Sequence, residues 1–142
     1  MKVVINSCYG GFGLSKEAMV RYCEIKNIPC WIVEDRKYGS LGLWTCWVVP
    51  TEQRVQTIEG AWSEMSTEER IAHNKALSKQ TLYDRDIARD DPALVQVVEE
   101  LGKKAAGRCA DLRIVEVPND VAWEVEEYDG KEWVAEVHRT WS

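Results

Sequence analysis

From Val121 to Trp141 the chain reads VAWEVEEYDGKEWVAEVHRTW, with apolar and polar residues alternating on both sides of Asp129-Gly130. A period of two sends successive side chains to opposite faces of an extended strand. Asp-Gly supplies the two positive-φ positions that a tight hairpin turn requires. The segment therefore predicts a β-hairpin and excludes a helix. On this reading Val121, Trp123 and Val125 share one strand face, and Trp133, Ala135 and Val137 share the facing one.

The beginning carries the other strong pattern. Lys2–Asn6, KVVIN, is rich in β-branched residues and reads as a first strand, not a secretion signal. Ser15 caps a helix starting at Lys16, with Met19, Tyr22 and Cys23 on one side of an imperfect apolar stripe and Ala18 near its edge. Asn27 and Pro29 close that helix, and CWIVED gives a second strand. LWTCWVV reads as a third strand ended by Pro50. A helix follows from Thr67 through Tyr83, with Ile71, Leu77 and Leu82 on its apolar side. Asp91-Pro92 starts another, striped by Leu94, Val97, Val98 and Leu101. ADLRIVEVP alternates into a strand ended by Pro118. These elements predict an α/β fold, with α+β as the variant. It has an N-terminal β-α-β element, a mixed sheet, two later helices and the C-terminal hairpin. A length of 142 residues suits a single domain over residues 1–142.

Charge and cysteine usage narrow the partners. Acidic side chains outnumber basic ones, 24 to 18, and the formal net charge of -6 disfavours a broad grip on DNA or RNA. A small anion held by a local arginine pocket stays open. No apolar run is long enough to span a bilayer. The five cysteines are scattered and contain no CxxC pair, which argues against a disulfide scaffold and against structural zinc. A reducing cytosol fits. Nothing specifies a cofactor or a metal; Asp84, Asp86, Asp90 and Asp91 are the carboxylates a magnesium ion would have to use. Seven tryptophans against one phenylalanine suggest aromatic interfaces, hence a homo-oligomer.

Two stretches carry the candidate binding chemistry. CYGGFGLS, Cys8 to Ser15, joins the first strand to the first helix. Backbone N–H groups of Gly10, Gly11 and Gly13 can face anionic oxygens there. Asn6, Cys8 and Ser15 add polar atoms, and Tyr9 or Phe12 can lie against a base. The alternative is a tight turn whose glycines take positive φ. The stretch matches neither GxGxxG nor a GK[ST] phosphate loop. In DRDIARDDP, Arg85 and Arg89 are four apart, so one helix face would present both as a phosphate clamp. The alternative is a solvated salt-bridge face. His138 and Arg139, on opposite sides of the last strand, complete the set. Cys8 as a nucleophile would need His73 or His138 as its base.

VVINSCYGGFGLS, YDRDIARDDPALVQVVEELG and WEVEEYDGKEWVAEVHRTW together resemble a family of small bacteriophage-encoded proteins. The resemblance brings no catalytic residue with it. It implies a phage accessory protein in the cytoplasm of a bacterial host. By analogy with other small phage proteins, it suggests an anti-defence sponge for a cyclic or modified nucleotide. The resulting expectation is non-catalytic binding of a small phosphorylated nucleotide. A nucleotide-processing enzyme using Cys8, Asp86, Asp90 and His138 is one alternative. A protein-binding inhibitor of a host factor, using Trp31, Trp44, Trp47 and Trp62, is the other.

Overall fold

A computed structural model describes residues 1–34, 44–55 and 64–137. The element order is that of a mixed α/β protein with an N-terminal β-α-β, two later helices and a C-terminal hairpin. The chain forms two compact units, Met1–Asn27 with Asp84–Ser142, and Ile28–Tyr83. No helix among the described residues is long and apolar enough to cross a membrane.

In the first unit, strand β1 (Lys2–Asn6) is buried from Val3 to Asn6. It pairs antiparallel with β5 (Leu112–Glu116), from Lys2↔Glu116 to Asn6↔Leu112. Val3 and Ile5 join Val117 in a cluster covered by Val115, Trp123, Val125 and Val134. Alternation sends Val4 to the other face, the side from which helix α3 (Pro92–Leu101) packs. Helix α1 (Lys16–Lys26) packs on α3 and buries Ala18, Met19, Tyr22 and Cys23, the side its apolar spacing marks. Ser15 caps α1 by accepting from the Ala18 N–H, and Asn27 ends it in the left-handed conformation. Met19 and Leu94 are fully buried, so truncating either to alanine costs about 2–5 kcal/mol.

A single aspartate ties the two helices together. Asp91 caps α3 by accepting from the Ala93 N–H. It also accepts from the Tyr22 hydroxyl at 2.7 Å and pairs with the Lys26 ammonium at 3.2 Å. Burial alone would raise its pKa. The bonds from Tyr22, Ala93 and Lys26 outweigh that and hold it below its ordinary 3.8.

The hairpin joins β6 (Trp123–Tyr128) to β7 (Lys131–Glu136). Its two-residue turn has φ of 51° at Asp129 and 89° at Gly130, as the sequence predicts. The register corrects the expected faces. Pairing starts at Tyr128↔Lys131, so Val125 meets Val134 and Trp123 meets Glu136. Trp133 and Ala135 lie on the opposite face, across from Glu126 and Glu124. An even-numbered loop brings odd positions of one strand against even positions of the other, which turns Glu132 inward and Trp133 outward.

The second unit holds a three-stranded antiparallel sheet in the order β2 (Trp31–Glu34), β3 (Trp44–Trp47), β4 (Thr81–Leu82). Helix α2 (Thr67–Gln80) is capped by Ser66, which accepts from the Glu69 N–H. It stops before the expected Tyr83, because Thr81 is extended and enters the sheet opposite Trp47. The described strands lie in three small sheets, and every pairing among them is antiparallel.

Candidate functional site

The loop after β1 is held by a returning segment. Ser7 N–H donates to Asp111 O, Gly107 N–H to Gly13 O, and Ser15 N–H to Ala105 O. Residues 105–111 thus run beside residues 7–15. A Cβ at Gly10 would lie 1.8 Å from Cys109 O, and one at Gly107 would lie 3.0 Å from Gly13 C. Gly11 differs. Its φ is 92°, and a Cβ there would meet nothing within 4 Å. Gly10 is therefore required by a neighbouring backbone, whereas Gly11 is required by its own conformation and borders open space.

Asn6 fastens the loop from below. It is fully buried, and its amide nitrogen donates to Cys8 O and Gly130 O. Its side-chain oxygen accepts from the Asp111 N–H. One residue thereby joins β1, the loop, the returning segment and the hairpin turn. The Cys8 thiol lies 3.0 Å from Cys109 O and 3.3 Å from Asn6 Oδ1. Both are amide oxygens, which accept a hydrogen bond but do not take a proton as a base would.

Arg89 comes to the same loop. Its guanidinium stacks on the Phe12 ring, 3.5 Å from the centroid. Two of its nitrogens donate to the two oxygens of Glu132 in a bidentate pair. Glu132 Oε1 also accepts from the Asn6 N–H at 2.8 Å, and Arg89 O accepts from the Val4 N–H. β1 pairs with β5 along one edge. Along the other, Arg89 and Glu132 supply the acceptors a further strand would have offered.

Arg85 and Arg89 do not share a helix. A single 3-10 turn spans Asp84–Asp86, and Arg85 is exposed on it. Pro92 disfavours helical backbone at the residue before it, so a helix cannot run through to α3. Asp84 accepts from the Leu14 and Arg85 N–H groups, and Asp91 serves as the cap of α3. Asp86 and Asp90 are exposed. The Ser15 hydroxyl is engaged at the helix cap and with Lys104 O. His73 lies on α2. His138 and Arg139, with Trp62 and Trp141, lie outside the described residues.

At the rim of the loop Tyr9 is 63% exposed, and the Lys131 ammonium sits 5.5 Å from its ring centroid. Lys131, Glu132, Gly107 and Cys109 were not among the site residues expected from the sequence. The signal for Lys131 and Glu132 was present, because a two-residue turn at Asp129-Gly130 fixes where both residues fall. Two open grooves in this unit lie elsewhere. One, of about 550 Å³, is lined by Lys2, Pro92, Val95 and Glu99; the other, of about 280 Å³, is lined by Val115, Val117, Trp123 and Val134. Comparison with family models, curated proteins and solved structures returns no match.

Proposed function

We propose that this chain binds a small phosphorylated nucleotide, without chemistry, at the rim of the Cys8–Gly13 loop. The observation that carries the reading is the Tyr9–Lys131 pair beside Gly11. An exposed ring offers a stacking surface, an ammonium offers charge for a phosphate, and a glycine leaves room for close approach. Arg89 has a supporting part. Its charge is engaged by Glu132, and through Phe12 it steadies the loop. The resemblance to small phage proteins supplies the setting, in which sequestering a host immune nucleotide is the role.

Isothermal titration with cyclic dinucleotides and ADP-ribose isomers tests the reading. A member of the panel should bind. Tyr9→Ala and Lys131→Ala should each weaken it by roughly tenfold, because stacking on one aromatic is worth about 1–3 kcal/mol. Both side chains are exposed, so folding stability should stay within about 0.5 kcal/mol of the parent. Absence of binding across the panel sinks the proposal. Recovery of a cleaved nucleotide from the heat-denatured complex would instead favour an enzyme.

A further inference from the structure

Cys30 and Cys46 are far apart in sequence, and no close cysteine spacing marks either as a ligand. Within the unit Ile28–Tyr83, the pairing of β2 with β3 brings them together. Ile32 lies directly opposite Cys46. Alternation along extended chain puts Cys30, two residues earlier, on the same face as Ile32. The two cysteines are thus diagonal neighbours across the strand pair, and their sulfurs lie within 4.8 Å of one another. Cys46 is 1% exposed and set by the sheet, while Cys30 is half-buried and leaves a path from solvent.

We propose that Cys30 and Cys46 form a binding site for a soft, thiophilic metal ion, with Cu(I) the best match. Thiolates select Cu(I) and Zn(II) over harder ions. A metal–sulfur bond of about 2.3 Å lets one ion join sulfurs up to about 4.6 Å apart. Structural zinc asks for four ligands in a tetrahedron. Cu(I) is satisfied by fewer soft ligands, which suits a pair. Each thiol releases its proton to solvent as its sulfur–metal bond forms, and no electron changes hands. A disulfide between the same sulfurs would need closure to about 2.05 Å and an external oxidant, so the site belongs to the reduced protein.

The test is anaerobic titration of the reduced, full-length chain with Cu(I) against a chromophoric Cu(I) chelator. The protein should withdraw a single equivalent and show a thiolate-to-copper charge-transfer band. Cys30→Ser should lower the apparent affinity by at least about a hundredfold, beyond the loss typical of an outer-shell partner. Cys8→Ser and Cys109→Ser should leave it unchanged. Cys46→Ser buries a hydroxyl and can fail to fold, so a second readout uses the parent chain. Cu(I) should slow iodoacetamide labelling at Cys30, followed by peptide mass mapping. Equal labelling with and without Cu(I), or an unchanged affinity in Cys30→Ser, overturns the proposal.

Discussion

Glu132 accepts three N–H groups, one from the Asn6 backbone and two from Arg89, in a setting where its side chain is only 9% exposed. Removing one partner of such a pair leaves the other charge desolvated and alone. Glu132→Ala and Arg89→Ala should therefore each destabilise the fold by about 3 kcal/mol in urea denaturation. A loss below about 1 kcal/mol would class the pair with exposed ion pairs. The glycines separate two causes in the same way. Gly10→Ala drives a Cβ into the Cys109 carbonyl, so backbone must move, and the cost should exceed that of Gly11→Ala. Gly11→Ala meets no atom and bears only positive-φ strain, about 1–3 kcal/mol. Reversal of that order would show that the returning segment yields easily. Little of this was legible in sequence. A glutamate in an alternating strand reads as solvent-facing, and the need for Gly10 comes from Cys109, far along the chain. What the residues did disclose was local. Ser15, Asn27 and Asp91 announce helix ends because each acts on its own neighbouring backbone.

Helices α1 and α3 meet through Tyr22, Lys26 and Asp91, and this junction sets a pH dependence with opposite signs at its two ends. The Asp91 carboxyl is held below its ordinary 3.8. As pH falls through 3.8 the unfolded chain takes the proton first, so this contribution is complete above that range and lost below it. Burial, then the bond to Asp91, pushes the Tyr22 hydroxyl above its ordinary 10.0. The unfolded chain releases that proton first, so this contribution is complete below pH 10 and lost as pH rises further. Asp91→Asn keeps an acceptor for the Ala93 N–H and should flatten the acid limb of a plot of urea midpoint against pH. Tyr22→Phe should flatten the alkaline limb and cost about 1.5–3 kcal/mol at neutral pH, the worth of a hydrogen bond to a charged group. Unchanged limbs in both variants would assign the pH response to other groups. The stripes of both helices and the cap at Asp91 could be read from spacing. The partnership of Tyr22 with Asp91 could not, because helix periodicity gives the buried face of each helix and not which helices meet.

The two compact units differ in how they bury apolar surface, and that difference predicts how the whole molecule opens. The first packs Val3, Val4, Met19, Leu94 and Val97 with no exposure at all. In the second, α2 has no buried residue, and Ile71 on its expected apolar side is 61% exposed. An isolated helix of about 12–15 residues is marginal in water, so α2, with no buried residue, gains less from packing than α3 does. This corrects the expected apolar side of Ile71, Leu77 and Leu82: Ile71 is exposed, and Leu77 and Leu82 are half-buried. Strand order was not foretold. Alternation says which face of β1 is buried, but nothing in KVVIN names β5 as its partner. Amide exchange reports the free energy of local opening, segment by segment. Opening α2 uncovers only half-buried side chains such as Leu77, whereas opening α3 uncovers Leu94, Val97 and Val98 together. Native-state hydrogen exchange should therefore find amides in the middle of α3 protected at least about a hundredfold more than those in the middle of α2. Protease cleavage under native conditions should begin in α2 before α1 or α3. Equal protection in α2 and α3 would refute this ranking.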